Sequence, residues 1–144
     1  MTADELFDKG LDNLKSGNRL GALACFEKAY SLEKIPKIQS YLAFCMATER
    51  GQITDAIRLC EDAIAREPDN PLHYLNLGKV YIKAERKSDA LIIFRKGLSL
   101  GEDLELKTLL ENIGTRNKPI FPFLPRGNFF NKYLGLLLSR LRLR

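Results

Sequence analysis

At 144 residues, 45% of them hydrophobic, the chain is long enough for one folded domain with a real core and too apolar for wholesale disorder. Its formal charge of +5 is unevenly spread: residues 1–111 hold 16 Lys and Arg against all 18 Asp and Glu, net −2, whereas residues 112–144 hold 7 Lys and Arg, net +7. The basic character belongs to the last stretch, which disfavours a nucleic-acid binder, and no run of about 18 apolar residues is present to span a bilayer.

The first residues, MTADELFDKG, are acidic and polar, unlike a targeting segment, which makes a cytoplasmic setting the expectation. Amphipathic periodicity then predicts helices over 3–16, 19–33, 37–50, 53–66, 71–84 and 87–100. Gly17 and Gly51 stand in the turns of the first two pairs. Pro36 and the run Glu67-Pro68-Asp69-Asn70-Pro71 punctuate the joints between pairs, with Asn70 suited to cap the next helix and Pro71 to its first turn. A seventh helix over 103–113 carries Leu104, Leu106, Leu109, Leu110 and Ile113 on one face and stops at Gly114.

Cys25, Cys45 and Cys60 have no metal-ligand spacing and lie in apolar helical patterns, where a free thiol acts as a small hydrophobe. The single histidine, His73, has no nucleophile or acid that spacing places beside it and is expected on the surface at a helix start. No phosphate-binding loop, dinucleotide fingerprint, zinc-binding helix or nucleophile elbow is present, so no enzymatic chemistry, cofactor or metal is expected.

An internal repeat organises these helices. Tyr74, Leu77, Gly78 and Tyr81 are followed by Ala90, Phe94 and Gly97. Thirty-four residues earlier the second half recurs as Ala56, Cys60 and Ala63, and another step back as Ala22, Phe26 and Ala29. The first half recurs weakly, as Ser40, Ala43, Phe44 and Ala47 in the second unit and around Gly10 in the first. Small residues mark close helix approach and large ones fill the gaps between them.

On these residues the chain resembles a tetratricopeptide repeat (TPR) protein. The resemblance implies an all-α, right-handed solenoid of three helix-turn-helix repeats, about 3–36, 37–70 and 71–104, with a capping helix at 103–113. Residues 1–114 would form this domain and residues 115–144 an appendage. It also implies that the first helix of each repeat lines a concave surface. A helical wheel then puts Phe7, Leu11, Leu14 and Lys15, Ile38, Tyr41 and Cys45, and Leu72, Leu75, Lys79, Ile82 and Lys83 on that surface. If the wheel is rotated, these apolar residues are core instead. Phe7, Leu11 and Leu42 fall where TPR domains that grip heat-shock-protein C-termini carry polar clamp residues. The expected occupant is thus a hydrophobic or amphipathic segment of another protein.

Beyond a polar linker at 115–118, prolines 119, 122 and 125 alternate with Ile120, Phe121, Phe123 and Leu124, the pattern of an extended strap. A last helix is predicted over about 129–143, its apolar stripe made by Phe130, Tyr133, Leu134, Leu137, Leu138 and Leu141. Three uses fit it. It can fold back on the repeats, dock on a partner or a second copy, or lie on an anionic membrane surface with its basic residues toward the headgroups. The reading is a non-enzymatic interaction scaffold, and the alternative is a peripheral membrane adaptor anchored by this helix.

Overall fold

The structure, a computed structural model, describes residues 1–114. They form seven α-helices: α1 Ala3–Lys15, α2 Arg19–Leu32, α3 Pro36–Arg50, α4 Ile53–Arg66, α5 Pro71–Lys83, α6 Lys87–Ser99 and α7 Leu104–Gly114. Three antiparallel pairs stack in chain order, and α7 follows the third pair.

Local chemistry sets the boundaries. Thr2 and Glu5 form a reciprocal capping box at α1. The side chains of Asn18 and Asn70 cap α2 and α5 by accepting from the amides of Gly21 and Leu72. Pro36 and Pro71 each occupy the first helical position, where no backbone hydrogen bond is lost. Asp103 Oδ1 accepts from the Leu106 amide and starts α7.

The turn inside each pair needs one residue in the left-handed region. Gly17 (φ 82°), Gly51 (φ 65°) and Glu85 (φ 60°) supply it at 34-residue intervals.

Two apolar clusters make the core. One gathers Leu6, Phe7, Leu23, Phe26 and Leu42 from α1–α3. The other gathers Ala47, Cys60, Leu77, Val80, Phe94 and Leu106 from α3–α7. Close approach is built by exchanging size across the first and third pairs. A Cβ on Gly78 would lie 2.1 Å from Phe94 Cε1, and one on Gly10 would lie 2.4 Å from Phe26 Cε1. Leu106 closes the second cluster, with Leu109, Leu110 and Ile113 packed against it. Leu104, expected on that face, instead stands 81% exposed at the first position of α7.

The middle repeat departs from strict periodicity. α3 begins at Pro36, 35 residues before the equivalent Pro71, and spans 15 residues where α1 and α5 span 13. Its exit differs as well. The Gln52 amide reaches back to Met46 O, six residues, whereas Asn18 and Arg86 reach back five, to Asn13 and Tyr81. Ser40, Ala43 and Ala47 are buried as the 34-residue period predicts. Phe44 is only half-buried, and Gln39 and Leu42 go into the interior as well.

Candidate peptide-binding face

The first helices α1, α3 and α5 carry every groove residue read from the sequence, but the structure divides them. Leu11, Leu14, Tyr41, Leu72 and Lys79 are half-buried, and Lys15, Ile82 and Lys83 are exposed. Phe7, Ile38, Cys45 and Leu75 are a correction: they belong to the two core clusters and offer no open surface. Ile38 and Cys45 are buried because α3 packs against α2, α4 and α5 at once. Phe7 is held in an aromatic trio, its ring 5.6 Å from Phe26 and 5.4 Å from Tyr41. Leu75 lies on α5, which is buried from His73 through Gly78 because neighbouring helices pack on several of its sides.

In their place the structure presents Lys37, Tyr41 and Phe44, one stripe along α3 at i, i+4 and i+7. Lys37 Nζ lies 4.3 Å above the Phe7 ring, and Lys79 Nζ of α5 lies 5.3 Å above Phe44. Lys79 also pairs with Glu105 of α7 at 2.5 Å. Lys37, Phe44 and Glu105 were missed by the 34-residue alignment. Aligning Pro36 with Pro71 sets Lys37 and Phe44 opposite Leu72 and Lys79, and would have found both. The six tail residues Phe130, Tyr133, Leu134, Leu137, Leu138 and Leu141 lie outside the described residues.

A second group of polar residues is centred in the interior. His73, expected on the surface, is fully buried. Its Nε2 is 2.7 Å from Glu67 Oε2 and its Nδ1 is 3.0 Å from the fully buried Ser40 Oγ. With Nε2–H donating to the carboxylate, Nδ1 is left to accept the serine hydroxyl. Asn76 Nδ2 donates to the same Oγ at 3.2 Å, while Asn76 Oδ1 has no hydrogen-bond partner among the described residues. Beside this group, Gln39 Nε2 donates to Leu59 O and to Asp62, and Arg66 donates to Gln39 Oε1.

Serine, histidine and carboxylate in series have the connectivity of a hydrolytic relay. Here Oγ is sealed between α3 and α5, where no substrate can reach it. The trio is therefore a fastener between the second and third repeats. Glu67 is held below the usual carboxylate range by the hydrogen bond from His73 first and that from Asn70 second. Burial pushes the Cys45 and Cys60 thiols up to about 12, so neither is a nucleophile at neutral pH. Among the described residues no group of three or more His, Cys, Asp or Glu could hold a metal ion, and no helix is long and apolar enough to cross a membrane.

These features define a helical-repeat scaffold with a half-buried aromatic and basic face. Residues 47–113 match the family model described as tetratricopeptide repeat. Among solved structures, the first TPR domain of the human RPAP3 protein superposes with a TM-score of 0.64 at 19% identity, covering 78% of this chain and 90% of that one. The first TPR of Spaghetti (RPAP3), bound to the HSP90 peptide SRMEEVD, gives 0.62 at 20% identity, with 78% and 90% covered. The Sgt2 TPR domain from Aspergillus fumigatus gives 0.64 at 21% identity, with 78% and 76% covered. No curated protein sequence matches the chain. The fold of residues 1–114 is that of a tetratricopeptide-repeat domain, an all-α solenoid of three helix pairs closed by α7.

Proposed function

We propose that this protein is a non-catalytic adaptor that seats a hydrophobic or amphipathic segment of a partner protein against the first helices of its repeats. The observation that carries this reading is the α3 stripe Lys37–Tyr41–Phe44, flanked by half-buried Leu11 and Leu14 on α1 and Leu72 on α5. Half-buried leucine and aromatic side chains present apolar area already ordered by their neighbours, so covering them costs little further side-chain entropy. The lysines Lys15, Lys37, Lys79 and Lys83 steer acidic groups of the partner toward that area. The likeness to a TPR domain that holds an HSP90 peptide supports peptide binding by this architecture. Half-buried Leu11, apolar where a terminal-carboxylate clamp would carry a polar residue, favours an apolar segment over a free carboxylate terminus.

Calorimetric titration of a synthetic amphipathic peptide of leucine, alanine and glutamate tests the reading. The wild-type chain is expected to bind saturably. Leu11→Glu combined with Leu72→Glu is expected to weaken binding at least about tenfold, the loss of one or two buried leucine contacts. Unaltered far-UV dichroism would show that the repeats persist. Equal affinity of this variant and the wild type would sink the reading.

A further inference from the structure

The first helices of the second and third repeats meet the start of α7 at one place outside the buried polar network. Phe44 forms a floor there, with Lys79 Nζ 5.3 Å above its ring. The same ammonium is 2.5 Å from Glu105 Oε1. The Tyr41 phenol is pushed above its usual range, by burial first and then by the charges of Glu105 and Asp103 at the start of α7. An ammonium over an aromatic floor, with a phenol about one turn back along the same α3 stripe, suits a carboxylate carried among apolar side chains. The ring accepts the apolar flank and supports the cation, and the cation accepts the charge.

Glu105 has the character of a tenant that can leave. Its side chain is 56% exposed against 24% for Lys79, so the ammonium is the sequestered partner and the carboxylate is the one open to solvent. A pair so exposed is weak and is readily exchanged for another carboxylate. Lys37, 4.3 Å above Phe7, repeats the ammonium-on-aromatic arrangement on the neighbouring stretch of the same face. None of the ion pairs among the described residues includes Lys37.

We infer that Tyr41, Phe44 and Lys79 form a subsite for a carboxylate side chain of an acidic amphipathic partner segment, and that Glu105 fills it in the free protein and yields it on binding. This rests on the peptide-binding reading above and names the chemistry of the partner. Glu105 acts as an internal competitor, setting a threshold that an apolar segment without acid does not need to overcome.

The experiment uses two probes, the leucine–alanine–glutamate peptide and its counterpart with glutamine in place of glutamate. Each is titrated into the full-length wild type, Glu105→Gln, Lys79→Gln and the double variant. The glutamate peptide is expected to bind the wild type more tightly than the glutamine peptide. Glu105→Gln is expected to tighten the glutamate peptide by about 1.5–5-fold, the range of an exposed ion pair, and to leave the glutamine peptide unchanged. Lys79→Gln is expected to abolish both the preference and the gain. Equal binding of the two peptides by the wild type would overturn the subsite while leaving the apolar face intact. A gain from Glu105→Gln that persists in the Lys79→Gln background would also overturn it, because the effect would then not pass through Lys79. Failure of both peptides to bind would end the peptide-binding reading and the subsite with it.

Discussion

Glu85 holds a backbone conformation, φ 60°, that glycine holds at the matching turns of the first two repeats. The turn demands a left-handed residue because the chain must reverse within a few residues and return the Arg86 amide to Tyr81 O. A side chain in that region costs about 1–2 kcal/mol, and glycine's greater freedom in the unfolded chain offsets about 0.5–1 kcal/mol of the relief. Glu85→Gly is therefore expected to stabilise the domain by about 0.5–1 kcal/mol, read as a higher urea midpoint at unchanged slope. Glu85 is exposed and no ion pair among the described residues includes it, so nothing on the surface opposes the gain. Most of the local punctuation is equally readable at this scale. Gly17, Asn18, Gly51, Asn70 and Pro71 act through their own backbone preferences, and the helix boundaries they imply fall within a residue of those observed for α1–α7.

Between elements, the α3–α5 contact is fastened by Ser40, His73, Asn76 and Glu67. Ser40→Ala would leave His73 Nδ1 and Asn76 Nδ2 without the oxygen they share, two buried polar groups unsatisfied. The expected loss is about 2–4 kcal/mol, measurable by urea unfolding. The Glu67 carboxylate gives the same contact a pH dependence whose sign is determined. Its folded pKa is depressed, so the unfolded chain binds more protons in the acid range. Its contribution is complete above about pH 4.3 and is lost as pH falls below that value through the folded pKa. Glu67→Gln should remove this part of the acid sensitivity, and an unchanged acid profile would count against the assignment. The network was illegible in sequence because Ser40 lies 33 residues from His73 and no spacing rule joins them; helix packing does. The extra length of α3 was half legible. Pro36 and Pro71 mark it, but the 34-residue recurrence of Ala56 and Ala90 on the second helices masks it.

Across the whole domain, the buried thiols make folding sensitive to alkali. Cys45 and Cys60 keep their protons to about pH 12 in the folded state, whereas an unfolded thiol ionises near about 8.5. Their contribution is complete below about pH 8.5 and falls by about 1.4 kcal/mol per pH unit for each thiol as pH rises toward 12. The phenols of Tyr41 and Tyr81, also raised chiefly by burial, add the same sign at higher pH. Urea melts at pH 8 and pH 10.5 should show the decline, and a Cys45→Ala/Cys60→Ala variant should lose most of it. An alkaline loss of equal size in that variant would mean that other groups carry the effect.

The 34-residue recurrence, the amphipathic faces and the turn residues belong to the chain itself. They act over one or two helical turns, so the sequence alone determined that this protein folds as helix pairs in series and where each helix begins and ends. Which residues of each helix are covered was decided only in the tertiary structure, because α3 packs against α2, α4 and α5 and periodicity alone does not say how many of its sides are covered. That packing buried Phe7, Ile38, Cys45 and Leu75, drew His73 inside to meet Ser40 and Glu67, and left Lys37, Tyr41 and Phe44 facing Lys79 and Glu105.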